Sequence, residues 1–151
     1  MQTEQPEKKA VSFYEASGFS MWPFLKKGER IIIRETPPDE LKKGDAILYQ
    51  RDGAVVCHRV IKKYCGGEGI IFFTRGDNSF AAPERVLASE VLGKAIAVKK
   101  GKKITSLTSG KNRLIGLCII ATAPFRVRLI RILGPVYRRF KRFAGGLRTF
   151  V

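Results

Sequence analysis

Between residues 11 and 106 the apolar positions fall into short runs, some alternating with a period of two and some continuous and β-branched, with turn residues between them. Val11 to Ala16 predicts a first strand. Gly28-Glu29 precedes Ile31-Ile32-Ile33, which reads as a buried strand ended by Pro37-Pro38. Asp39-Glu40-Leu41 predicts one helical turn, and Lys43-Gly44-Asp45 a tight turn into a strand from Ala46 to Arg51. Asp52-Gly53 separates that strand from Ala54 to Ile61, a strong two-residue hairpin signal. Tyr64 to Gly69 reads as a flexible connection and Ile70 to Thr74 as the next strand. Glu84 to Val91 reads as a short connecting segment, and Leu92 to Val98 with Lys103-Ile104-Thr105 as a last hairpin around Lys100-Gly101. The expected fold is mainly β, a compact domain of curved antiparallel sheets over 11–106, preceded by a flexible N-terminus over 1–10.

Beyond Ser106 the pattern changes. Leu114 to Phe125 is an apolar run too short for a bilayer, which needs about 20 residues, and Pro124 interrupts it. Arg126 to Leu133 and Tyr137 to Phe143 then interleave arginines with aliphatic and aromatic groups, broken at Gly134-Pro135. Helical wrapping separates much of that apolar surface from the charge, so 107–151 reads as a basic amphipathic, helical C-terminal segment.

Charge sharpens this division. The 151 residues carry a formal net charge of +16. Residues 1–110 hold 19 Lys and Arg against 13 Asp and Glu, whereas residues 111–151 hold 10 against none. The excess therefore speaks about the tail's partner. An anionic membrane surface is the favoured one, since each basic residue near it contributes roughly 1 kcal/mol. Packing on the protein's own domain and binding to nucleic acid phosphates are the alternatives. Met1 to Ala10 has no apolar core of the kind a signal peptide needs. The expected location is the cytoplasm or the cytoplasmic face of the membrane.

Three cysteines, Cys57, Cys65 and Cys118, are an odd number without zinc-ligand spacing, and there is one histidine. Neither a disulfide scaffold nor a metal site is expected, and no cofactor.

The candidate chemistry lies in three separate segments. Ser20, in Gly18-Phe19-Ser20-Met21-Trp22-Pro23, can be presented on a bent backbone with its N–H free to face an oxyanion. His58 is the one imidazole available to take its proton. On a strand it shares a face with Val56 and Val60, while Cys57, Arg59 and Ile61 take the other, which weakens Cys57 as a nucleophile beside His58. Asp77, in Thr74-Arg75-Gly76-Asp77-Asn78, is the carboxylate expected to orient the ring. Singly, each is ordinary: a serine in a turn, a core histidine, a Gly-Asp-Asn turn. Asp45 is also more simply a turn residue than a triad member. Jointly they point to a Ser-His-Asp hydrolase as the hypothesis to test.

These segments, with Leu41 to Tyr49, Val56 to Ile61 and Val91 to Ala95 in order, resemble the signal peptidase I and SOS-repressor superfamily of serine peptidases over roughly residues 16–99. The His58-Arg59-Val60 motif looks like the histidine-containing archaeal and endoplasmic-reticulum-type branch, where bacterial members carry lysine. Two positions depart from that pattern. Gly18 stands where membrane-type members have a serine, leaving Ser17 or Gly18 as auxiliary oxyanion contributors. Where histidine-branch members carry a second aspartate, this chain reads Ser79 to Glu84, so either Asp77 orients His58 alone or Glu84 takes part with its longer side chain.

The resemblance implies a serine endopeptidase cleaving a peptide or preprotein segment. Substrate would lie extended along a strand edge with small side chains near the cut, and Met21 and Trp22 would help wall the pocket. Two alternatives compete: a self-processing repressor-like regulator, for which Ala144-Gly145 is the one candidate bond, and a catalytically inactive membrane-surface adaptor.

Overall fold

The computed structural model describes residues 11–67, 69–122, 125 and 128. The expectations placed on 1–10, on the arginine-aromatic stretches after residue 128 and on Ala144-Gly145 lie outside the described residues. Eight strands form one antiparallel sheet. They are β1 (Val11–Glu15), β2 (Arg30–Arg34), β3 (Ala46–Arg51), β4 (Ala54–Gly66), β5 (Gly69–Arg75), β6 (Glu84–Leu87), β7 (Val91–Lys100) and β8 (Lys103–Ser106). The order across the sheet is β1-β2-β7-β3-β4-β5-β6, with β8 also paired to β7. The sheet curls into a half-barrel, the mainly β fold expected. A helix, α1, follows over 110–122.

The curl produces two cores, one on each side of β3. Ala46 and Leu48 pack with Met21, Leu25, Ile31, Ile33, Ala95 and Val98. Ile47 and Tyr49 face the other way and pack with Leu41, Val60, Phe72 and Val86. Strand alternation on a strand buried on both faces accounts for this split, and Ala46 through Tyr49 are all at most 3% exposed.

The β3–β4 hairpin has the expected two-residue turn, with positive φ at Asp52 (49°) and Gly53 (75°), the backbone that matches the twist of the flanking strands. Three local expectations change. Tyr64 to Gly66 continues β4 and is not a loose connection, because pairing with β5 extends to Gly66 opposite Gly69. Glu84 to Val91 is not a plain connector: it supplies edge strand β6, a 3-10 turn over Ala88–Glu90 and the start of β7. Asp39 lies in a hydrogen-bonded turn closed by the Glu40 N–H on the Pro37 carbonyl, not in a helix.

The first turns of α1 pack on the strand unit. Gly116 faces the Arg59 guanidinium, which a Cβ would meet at 2.6 Å, and the Leu117 side chain lies against Gly44. Among the described residues no helix is long and apolar enough to cross a membrane.

Gly93 marks a tight point of the sheet. It stands opposite Leu48 with φ of 155°, and a Cβ there would lie 2.7 Å from the Arg34 carbonyl oxygen on β2. Gly93→Ala is expected to cost about 1–3 kcal/mol, read as a lower urea midpoint with an unchanged slope.

Candidate active site

Ser20 opens a turn between β1 and β2. The Trp22 N–H bonds to the Phe19 carbonyl at 3.1 Å and the Leu25 N–H to the Met21 carbonyl at 3.1 Å, which bends the chain and leaves Ser20 exposed. Met21 and Leu25 anchor this turn in the first core. A second tether comes from the β5–β6 connection, where the Asn78 N–H donates to the Ser20 carbonyl at 2.7 Å.

His58 lies on β4, directly opposite Ile47 of β3, and is 8% exposed. Its two nitrogens face different surroundings. Nδ1 is 3.0 Å from the Tyr49 hydroxyl. Nε2 points toward Gly76: a Cβ at Gly76 would lie 3.2 Å from Nε2 and 2.9 Å from the Ser20 Cβ. Ser20 and the His58 Nε2 are therefore separated by no more than those two distances laid end to end. Three segments distant in sequence meet at a spot kept clear because residue 76 has no side chain.

Behind the ring stands a polar chain that runs from buried Tyr49 and Thr74 to the partly exposed Glu84. The Tyr49 hydroxyl donates to the Glu84 carboxylate at 2.6 Å and receives the Thr74 hydroxyl at 3.3 Å. Glu84 itself is 3.8 Å from Nδ1, so the tyrosine comes between them. Burial pushes the Tyr49 phenol well above its ordinary pKa, and the Glu84 carboxylate adds to this. Burial also lowers the His58 pKa below its usual 6.5, against the opposing charges of Glu84 and Asp77. Near neutral pH the ring is thus uncharged, the form that can accept a proton.

Asp77 occupies a different position from that expected. Its two carboxylate oxygens lie 2.7 and 2.6 Å from the Nε and Nη2 atoms of Arg59, a bidentate pair, and both residues are 3% exposed. Arg59 also donates to the Gly44 carbonyl at 2.8 Å and stacks over the Phe24 ring at 4.9 Å. Alternation along β4 explains the difference, since Arg59 points away from the face that carries His58. The negative charge of Asp77 still favours protonation of the imidazole, but the hydrogen-bonding neighbour at Nδ1 is Tyr49.

The remaining candidates divide. Ser17, Gly18, Ser20 and Met21 line one pocket of ≈ 200 Å³, together with Ala16, Leu25, Ile31, Leu48 and Cys57. Trp22 is 49% exposed and is absent from that lining. Glu84 reaches His58 through Tyr49. Asp45 is a turn residue, accepting the Lys42 N–H at 3.0 Å and pairing with Lys94 at 2.8 Å. Burial pushes the Cys57 thiol up to about 12, reinforced by Asp77, so it stays protonated at neutral pH. Among the described residues no group of three His, Cys, Asp or Glu side chains is placed to hold a metal.

Sequence reasoning missed Tyr49, Thr74 and the Arg59 pairing. Tyr49 was within reach of it: a two-residue turn at Asp52-Gly53 sets Ile47 opposite His58, which puts Tyr49 on the same face one diagonal away.

No protein-family model matches the chain. A stretch of 73 residues is 36% identical to signal peptidase I W of Bacillus subtilis, covering 47% of this chain and 38% of that protein. The chain thus matches well under half the length of this relative, and the likeness supports a signal-peptidase-I-like peptidase relationship.

Because the chain has a single histidine, its titration can be followed without assignment ambiguity. The NMR titration midpoint of His58 is expected below 6.5. In the unfolded chain the ring takes its proton first, so stability should fall as pH drops from about 6.5 toward the folded-state value and then level off. A midpoint above 6.5 would contradict the assigned burial effect.

Proposed function

We propose that the protein is a serine endopeptidase of the signal peptidase I type, with Ser20 as nucleophile and His58 as general base. One observation carries the proposal: Ser20 and the His58 Nε2 both come within contact distance of the position a Gly76 Cβ would take, beside a pocket lined in part by apolar side chains. In the first step the Ser20 Oγ bonds to the scissile carbonyl carbon while its proton passes to the His58 Nε2. The carbonyl electrons move onto oxygen, where the Ser20 N–H helps hold the charge, with Ser17 and Gly18 nearby. As the carbon–nitrogen bond breaks, His58 returns the proton to the leaving amine. Water, deprotonated by the same ring, then releases the acyl group and restores Ser20.

The pocket supports a small-side-chain specificity. Ala16, Met21, Leu25, Ile31 and Leu48 supply its apolar lining, and ≈ 200 Å³ suits short aliphatic groups better than a large aromatic one. It lies between Tyr14 to Ser17 at the end of β1 and Val55 to Cys57 at the start of β4. β1 is an edge strand, and β5 pairs with β4 only from Arg59 onward. Both segments therefore have backbone groups to offer an extended peptide. The whole cation excess of residues 111–151 supports a second element of the proposal, recruitment to an anionic membrane surface where preprotein segments would be met.

A serine-directed acylating probe is expected to label Ser20 rapidly, with the label lost in Ser20→Ala. Gly76→Ala drives a methyl group against the Ser20 carbonyl and the His58 Nε2, so nucleophile and base must shift from their places, and it should slow labelling by at least about 10²-fold with the sheet intact by circular dichroism. Absence of labelling in the folded wild-type chain would favour a non-catalytic adaptor. For the tail, replacing Arg138, Arg139, Lys141 and Arg142 by glutamine in the full chain should weaken binding to phosphatidylserine vesicles by at least about tenfold, and undiminished co-sedimentation would remove its role.

A further inference from the structure

The reaction just described needs His58 in one tautomer, protonated at Nδ1 and bare at Nε2. A neutral imidazole in water populates both, so something must choose. We propose that Tyr49, held by Glu84, is the positioning residue that fixes this tautomer. The inference rests on the Ser20–His58 peptidase reading and adds the group that orients its base.

The argument is a count of protons. The Tyr49 hydroxyl has one hydrogen to give and two lone pairs to receive with. It lies 2.6 Å from a Glu84 carboxylate oxygen, a short charge-assisted distance that claims the hydrogen. Its ordinary proton is also hard to remove, since burial and the neighbouring carboxylate both oppose ionisation. Thr74, fully buried, donates its hydroxyl hydrogen to the first lone pair at 3.3 Å. The second lone pair faces the His58 Nδ1 at 3.0 Å. Two lone pairs facing each other would repel, so Nδ1 must carry the hydrogen. The other nitrogen is then bare, and it is the one beside Gly76 and Ser20.

The arrangement does the work usually given to a carboxylate in direct contact with the ring. Glu84 is too far for a hydrogen bond, at 3.8 Å, but its charge is transmitted through the phenol and favours the imidazolium formed when Ser20 is deprotonated. Asp77, with both oxygens in the fork of Arg59, contributes a favourable charge and positions the Gly76 turn. Tyr49 sits at the centre of the second core, which holds the hydroxyl within a narrow range of positions. Glu84 enters from edge strand β6, paired to β5 at Thr74. Side chains from β4, β5 and β6 therefore converge on the one oxygen atom that β3 supplies.

The test uses the full chain with a 15N-labelled imidazole, whose single histidine gives one spin system, and the same serine-directed acylating probe. Wild-type protein above the His58 midpoint should show Nδ1 as the protonated nitrogen. Glu84→Ala removes the acceptor from a partly exposed side chain and spares the core, so the phenol hydrogen turns to Nδ1 and the ring proton moves to Nε2. Ser20 acylation should then slow by about ten- to a hundredfold with probe affinity little changed, and its acid limb should move to lower pH because a charge that favours the imidazolium is gone. Glu84→Gln retains an acceptor oxygen and should keep most of the Nδ1-protonated form and recover part of the rate. Tyr49→Phe should lose the tautomer preference as well. An Nδ1-protonated ring that persists in both Glu84→Ala and Tyr49→Phe overturns the proposal. Tautomer changes as described in the variants, beside a wild-type protein that never acylates at Ser20, would instead sink the peptidase reading, and with it the catalytic meaning of the relay.

Discussion

The buried pair between Arg59 and Asp77 is the contact on which the candidate site is built. Removing both charges from water is costly, and only near-ideal geometry compensates. Here two short, parallel hydrogen bonds join them, and the guanidinium has further partners in the Gly44 carbonyl and the Phe24 ring. The pair fastens the turn after β5 to the middle of β4. That turn carries Gly76, whose bare backbone lies against both Ser20 and His58, and Asn78, whose N–H holds the Ser20 carbonyl. The Ser20 turn is thus positioned by a salt bridge in which neither Ser20 nor His58 takes part.

Strand β4 makes this possible by sending adjacent residues to opposite faces. Arg59 organises the loop on one side; His58 engages Tyr49 on the other. The two cores of the curled sheet give each face its own environment. On the His58 face the surroundings are apolar enough to keep the ring neutral, yet Tyr49, Thr74 and Glu84 form a hydrogen-bonded chain within them. Such a chain is stable in an apolar setting only when its members are satisfied, and that requirement also confines the tyrosine oxygen. Helix α1 adds to the Arg59 side: Gly116 lets it approach the guanidinium closely, so the helix helps keep the ion pair away from solvent.

Much of this architecture was legible beforehand because it depends on local rules. Apolar runs and alternation marked β1, β2, β3 and most of β4, and Asp52-Gly53 fixed the β3–β4 hairpin through the positive φ that its turn needs. The functional types were also visible, since a lone histidine flanked by Arg59 and an exposed serine in a glycine-bearing turn are features of the chain itself. Less visible were β6 and the far end of β4. Their strand character comes from pairing with β5, a non-local contact that outweighs the glycine-rich composition around Tyr64 to Gly69.

Residue types, their order, and the faces on which neighbours along a strand would lie follow from the chain alone, because backbone geometry imposes those choices residue by residue. They could not decide which carboxylate would meet which cation or ring. Asp77 and Glu84 are both downstream of His58, both follow β5, and either could be imagined behind the imidazole. Tertiary structure separated them: the turn after β5 delivers Asp77 to the Arg59 face, while edge pairing of β6 brings Glu84 to Tyr49. That allocation follows from the curl of a whole sheet and the need of a buried guanidinium for a charged partner, quantities that no stretch of sequence contains.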